Sequence, residues 1–263
     1  GDGIGDGDGD GIGDGGGDEG GGPRRVSDDD VVIEVEVYHA RSPRVLQRLT
    51  MLGSQTLAAL RDACWCQADL VHEVSPWTEV RPRVLDILAR TPPHPAAKGG
   101  GMFFIEGCCF DDTRSKQFAR YSDPVVQWML DDPKRSSVVG AIDVRDMQHT
   151  RLADISLRLG ARYLYQHRGD CEHHLVFTAI RLKAPEDPPR VNQYPLLTYR
   201  SRPQWRKCFV CSAMPSTIMA YNDPLAHAVP MLYCDPCFAL MHGRGDERGP
   251  HADVLQCFAY VGV

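Results

Sequence analysis

A mixed α+β fold is predicted by three features of this 263-residue chain. Residues 31–39 (VVIEVEVYH) alternate apolar and polar side chains, and a turn and a second apolar run follow. Residues 56–66 then place apolar side chains at helical spacing behind a capping threonine. Near the C-terminus stand two Cys-x-x-Cys pairs, the mark of a part held by metal. Hairpin followed by helix is how a ubiquitin-like (β-grasp-like) unit begins. That is the expectation for residues 31–90, with a zinc-stabilised C-terminal part at 161–263.

The chain opens on a low-complexity segment. Residues 1–22 hold 13 Gly, 6 Asp, one Glu and two Ile, with no Lys or Arg. They have almost nothing to bury, so residues 1–30 read as a disordered acidic tail. Asp6, Asp8, Asp10 and Gly11 imitate the start of a calcium loop, but Gly17 stands where the closing Glu is needed. The formal net charge is −6 and residues 1–22 alone carry −7, so the body is near neutral at +1. No apolar run reaches the roughly 18 residues of a membrane span. No basic-then-apolar leader opens the chain either. The expectation is therefore a protein without membrane contact.

In the first strand Ile33, Val35 and Val37 share one face, and Glu34 and Glu36 the other. Residues 40–44 (ARSPR) turn the chain, and 45–52 return with Val45, Leu49 and Met51 on one side. Thr56 caps a helix over 56–66 that carries Leu57, Leu60 and Cys64. A second helix is predicted at 79–90, with Val84, Leu85 and Leu88 as its contacts. The Pro- and Gly-rich stretch 91–101 reads as a linker. A mixed region at 102–160 follows. It opens on a strand and turn at 102–110, where Cys108 and Cys109 read as buried thiols. Asp123-Pro124 opens a helix to about 131. Strands are predicted at 162–167 and 174–182.

Cys208-Phe-Val-Cys211 and Cys234-Asp-Pro-Cys237 are separated by 22 residues. Two residues between paired cysteines let one tight turn aim both sulfurs at one ion, and two such turns complete a tetrahedral Zn2+ site. In a chain without a secretion signal, that reading fits better than disulfides. Cys171 and His173, with His167 and His242, could assemble a second Cys/His zinc site. The alternative there is a hydrogen-bonded turn with a core cysteine and surface histidines.

Seven Lys/Arg against two acids fill residues 181–207. The densest part, Tyr199 to Lys207, runs into the first cysteine pair. Arg200, Arg202, Arg206 and Lys207 with Trp205 suit phosphate contact with aromatic support. A solvated basic face is the bland alternative. Enzyme templates fail: there is no phosphate loop, no G-x-S-x-G, no H-E-x-x-H and no deaminase H-x-E. A closed four-cysteine site leaves no open coordination position. The chain is therefore expected not to be an enzyme and to take no small-molecule substrate. An enzyme of the ubiquitin pathway with Cys171 as its thiol nucleophile, suggested by the β-grasp-like start, is the rival to test.

Several blocks resemble one known family. They are Met51-Leu-Gly-Ser-Gln-Thr-Leu-Ala-Ala-Leu-Arg-Asp62, Phe103-Phe-Ile-Glu-Gly107 with Asp112-Thr-Arg114, and Arg158-Leu-Gly-Ala-Arg-Tyr-Leu-Tyr165. His167-Arg-Gly-Asp-Cys-Glu-His173, Tyr194-Pro-Leu-Leu197, Arg206-Lys-Cys-Phe-Val-Cys211 and Cys234-Asp-Pro-Cys-Phe238 with Met241-His242 continue the series. Collinear over about 50–245, they resemble the 50-kDa subunit (subunit 3) of the small-nuclear-RNA-activating protein complex, plant members included. The resemblance implies a nuclear transcription factor subunit. It implies promoter DNA as a partner, at the proximal sequence element of snRNA genes read by RNA polymerases II and III. It also implies a Myb-repeat subunit and a small helical subunit as protein partners. A protein–protein scaffold without DNA contact is the alternative. In that family a further Cys often lies three residues before the second pair. Met231 stands there in this chain, which favours Cys234 and Cys237 as ligands.

Overall fold

The computed structural model describes residues 24–70, 99–140, 142–202, 204–244, 247–249 and 251–260. The Gly/Asp-rich segment 1–22, the helix expected at 79–90 and most of the 91–101 linker lie outside the described residues. No described helix is long and apolar enough to cross a membrane.

The first two strands form as the pattern predicts. β1 (Val31–His39) pairs antiparallel with β2 (Val45–Leu52), and Ile33, Val35 and Val37 face the main core with Leu49 and Met51. The opposite face is not all solvent. Val32 and Leu52 bury against Val26 and Tyr194 in a second, smaller cluster. Val26 donates its N–H to Pro189 O at 2.9 Å. So the expected tail, taken to residue 30, reaches too far: residues 24–30 contribute to the fold because Val26 has a pocket to fill.

The segment after β2 shows why its sequence reads Leu-Gly-Ser-Gln-Thr-Leu. A Cβ on Gly53 would meet Val31 Cγ2 at 2.4 Å and Ala153 Cβ at 3.3 Å, so a larger residue there would displace Val31. Gln55 Oε1 accepts from Leu52 N–H, and Thr56 Oγ1 accepts from Ala59 N–H at 3.3 Å, capping the next helix. That helix, α1 (Leu57–Ala63), buries Leu57 and Leu60 in the main core. It stops three residues earlier than predicted, which frees Cys66 to point elsewhere.

The ubiquitin-like closure does not form. A β-grasp unit pairs its first strand in parallel with its last, whereas β1 is antiparallel to both neighbours, β2 and β7 (Cys171–Leu182). The hairpin instead lies inside an eight-stranded sheet. Its other strands are β3 (Gly101–Ile105), β4 (Cys108–Asp111), β5 (Asp143–Asp146), β6 (Arg162–His167) and β8 (Leu196–Arg200). The order is β5-β4-β3-β6-β7-β1-β2-β8, with β4–β5 the parallel pair. One sheet thus draws on three segments that the sequence reading separates.

The 102–110 region is a hairpin of two strands, not one. Glu106 and Gly107 both adopt positive φ (49° and 79°), which suits a two-residue hairpin turn. Cys108 and Cys109 are buried, and burial raises both thiols, Cys109 to about 11. α2 (Ser122–Leu130) follows, then the short α3 (Pro133–Val139). Asp123 does not cap α2. The buried Asp111 carboxylate does, accepting from the N–H groups of Tyr121 and Ser122 at 3.1 and 3.2 Å. β7 begins at Cys171, three residues before the expected start, because His167 pairs with Cys171 across the hairpin.

Beyond Arg200 a second unit begins. β9 (Ile218–Tyr221), β10 (Met231–Tyr233) and β13 (Gln256–Ala259) form a small sheet in the order β10-β9-β13. Before the last strand come α4 (Asp235–His242) and a two-residue ribbon of β11 (Gly243–Arg244) and β12 (Glu247–Arg248). Its core is Ile218, Ala220, Met231, Tyr233, Phe238 and Cys257. Among the described residues this cluster, with Phe209, Cys237 and Met241 partly buried against it, is a small core. Met231 belongs to it, so this position is apolar core in this chain.

Candidate metal centres and the basic strap

Cys208, Cys211, Cys234 and Cys237 converge. Their sulfurs all lie within 4.8 Å of one another. The first pair sits on a tight turn: Ser212 N–H reaches Cys208 O at 2.9 Å, and Ser212 takes the left-handed conformation (φ 54°). The second pair starts α4, with Cys234 as its N-cap and Cys237 in the first turn. A helix N-terminus favours thiolate there.

The donor set fits zinc. A tetrahedral ion with Zn–S bonds of about 2.3 Å needs sulfurs about 3.8 Å apart. Cys211 and Cys234 are 3.8 Å apart. The N–H groups of Met214 and Ala213 bring the Cys211 thiol down to about 6. Cys237 is pushed up to about 12, by its contact with the Cys234 sulfur and by burial. Four sulfurs this close cannot all ionise unless a cation stands among them.

A second cluster forms at the end of the large sheet: Cys66, His167, Cys171 and His173, again within 4.8 Å. His167 Nε2 is 3.2 Å from His173 Nε2, Cys66 Sγ is 3.6 Å from Cys171 Sγ, and Cys171 Sγ is 3.5 Å from His173 Nε2. Three of the four come from the β6–β7 hairpin, where Cys171 and His173 share a face two residues apart. Behind it, Asp69 Oδ1 lies 3.2 Å from His167 Nδ1. Burial lowers the His167 pKa, but Asp69 and Cys171 raise it on balance. The Cys66 contact and the two histidines hold the Cys171 thiol well below its ordinary range, and the same contact with burial pushes Cys66 up.

His242 does not join this cluster. It is buried in the C-terminal unit, with Nε2 3.1 Å from Asp223 Oδ2 and 3.4 Å from Tyr233 Oη. Nor does it reach the four cysteines as a neighbour of Cys237. Five residues along one helix rise about 7.5 Å and turn well past a full revolution, so the two side chains diverge. The ligand set that the sequence suggested gains Cys66 in its place. The sequence does carry a Cys64-Trp-Cys66 signal, but 100 residues away from the hairpin, with nothing local to link them.

The predicted DNA-contact residues form an exposed strap between the two units. Arg200 stacks on the Trp65 ring at 5.3 Å, Arg202 O accepts from Arg44 Nη2, and Trp205 meets Tyr260 edge-on at 6.3 Å. Arg206 and Lys207 are exposed. The strap is fastened to the knuckle by Ser216 N–H to Arg206 O (2.9 Å), Cys208 N–H to Met214 O (2.8 Å) and a bridge between Lys207 and Pro215. Beside it a cleft of about 360 Å3 opens, lined by Arg44, Trp65, Cys171, His173, Ser201 and Gln204 among others.

Fold and site together define a class: an α+β chain with two clusters able to hold metal and a basic strap anchored at one of them. The family profile described as snRNA-activating protein complex (SNAPc), subunit 3, matches residues 47–258, and the chain belongs to that family. The snRNA-activating protein complex subunit 3 of Rattus norvegicus is 30% identical over 223 residues, covering 84% of this chain and 52% of the relative. The protein of that name from Mus musculus is 31% identical over 217 residues, 82% of this chain and 50% of the relative. That from Bos taurus is 28% identical over 244 residues, 90% and 56%. The chain thus spans about half the length of the curated relatives it matches.

Proposed function

We propose that this chain contacts promoter DNA as a non-catalytic subunit of an snRNA-activating complex in the nucleus. Cys208, Cys211, Cys234 and Cys237 hold a structural Zn2+ in this reading. The ion fixes the backbone at Arg206 and Lys207, while β8 and the Arg44 contact hold Arg200 and Arg202, so that these side chains and Trp205 meet phosphates. The observation that carries it is the fastening of Arg206 and Lys207 to the cysteine knuckle through Ser216, Met214 and Pro215. The family supports membership of the assembly. The proximal sequence element, RNA polymerases II and III, and the Myb-repeat and small helical partners follow from the resemblance. A body near neutral supplies little non-specific attraction, so partner subunits contribute much of the affinity.

The test is a salt titration of promoter binding by the assembled complex, with Arg200, Arg202, Arg206 and Lys207 neutralised. A shallower slope of log affinity against log salt is expected. An unchanged slope would leave the second reading, a scaffold that meets only protein. That reading has one observation in its favour: Leu225, Val229 and Leu240 stand exposed on the C-terminal unit.

A further inference from the structure

The cluster at Cys66, His167, Cys171 and His173 has no part in the strap's attachment, and its geometry can be compared with that of a metal site. A tetrahedral zinc with Zn–S near 2.3 Å and Zn–N near 2.05 Å requires donor separations of about 3.8 Å (S to S), 3.6 Å (S to N) and 3.3 Å (N to N). The observed values are 3.6, 3.5 and 3.2 Å. Three independent edges agree to about 0.2 Å, and both histidines present the same nitrogen, Nε2. Cys66, His167 and His173 are buried, and Cys171 is partly exposed at the cleft.

From this we infer a second structural zinc site, with two thiolates and two neutral imidazoles as ligands and Cys66 as the fourth. Two thiolates balance the charge of Zn2+, so a neutral unit is buried. The four-cysteine site nets −2 and lies at the surface end of a basic strap. Asp69 Oδ1, 3.2 Å from His167 Nδ1, is placed as the carboxylate behind a ligating histidine whose Nε2 faces the ion. His173 Nδ1, buried without a hydrogen-bond partner among the described residues, marks a ring oriented by its other nitrogen. The site would tie the segment after α1 to the β6–β7 hairpin. It also forms one wall of the cleft beside the strap.

Two other chemistries compete for these residues. A disulfide needs sulfurs about 2.05 Å apart and leaves both histidines without purpose. A thiol nucleophile needs one base, whereas Cys171 faces two imidazoles and a second sulfur.

Metal content of the purified chain, by elemental analysis and native mass spectrometry, tests the site. Two zinc ions per chain are expected, falling to one in Cys66→Ser or His173→Gln and staying at two in His242→Gln. Cys234→Ser should also lose one ion, the other one, so failure of the four-cysteine site is distinguishable. Because a ligand variant could misfold, the parent chain gives a second readout. Native iodoacetamide labelling should spare Cys171 until a chelator is added. One ion per chain that Cys66→Ser retains would overturn the inference. So would rapid labelling of Cys171 without chelator, or a Cys66–Cys171 disulfide found by mass.

Discussion

Cys66 and Cys171 are 105 residues apart in the chain, and their sulfurs stand 3.6 Å from each other. The contact joins the segment after α1 to the start of β7. It exists because β7 pairs with both β1 and β6, carrying the hairpin tip to the side where the chain leaves α1. The second cluster is therefore a product of sheet topology.

Asp69→Asn should lower the affinity of the second site for zinc by about 10–100-fold, without changing the number of ions bound at saturation. The neutral amide no longer stabilises a polarised His167. Competition against a chromophoric chelator measures this. Unaltered affinity would remove Asp69 from the site.

Cys234→Ser, or chelation, should release the C-terminal unit alone. Its own core is small, so metal binding and folding are coupled there. The large sheet has a separate core and should stay intact. Limited proteolysis should then cut beyond residue 201 and spare 31–70. Protection that survives removal of the metal would contradict the coupling.

Arg206→Ala and Lys207→Ala should each reduce the salt slope of promoter binding by about one unit, on any DNA sequence. Both side chains are exposed, so folding should be unaffected. A loss confined to one sequence would mean base readout instead.

Asp112 predicts the acid limb of stability. Burial works to raise its pKa, but Arg114 and Arg61 outweigh that and leave it lowered. Arg61 Nε and Arg114 Nη2 lie 3.0 and 2.8 Å from Asp112 Oδ2. An unfolded Asp titrates near 3.9. The contribution is complete above that value and is lost as pH falls through the lower folded value. Asp112→Asn should cost about 3 kcal/mol or more at neutral pH, because Arg61 is fully buried, and should flatten the pH dependence below about 4. Urea unfolding at a series of pH values checks both.

What was legible in the sequence was local. Alternation placed β1, residue spacing placed α1 with its Thr56 cap, and the two Cys-x-x-Cys turns named four cysteines that do converge. Each of these depends on neighbours within a few residues. The family blocks were legible too, and Gly53 shows a physical reason for one of them.

Long-range pairing comes from packing. The β-grasp expectation failed because closure depends on which distant strand joins β1, and alternation says nothing of partner or direction. Asp123 lost the capping role to Asp111, a carboxylate from another strand. His242 looked close to Cys237 in sequence but turns away along its helix to Asp223, while Cys66 arrives from across the sheet. Local sequence sets which residue types can bind metal and where the chain reverses. Only the packed sheet determined which of them meet, because that depends on the register of strands more than 100 residues apart.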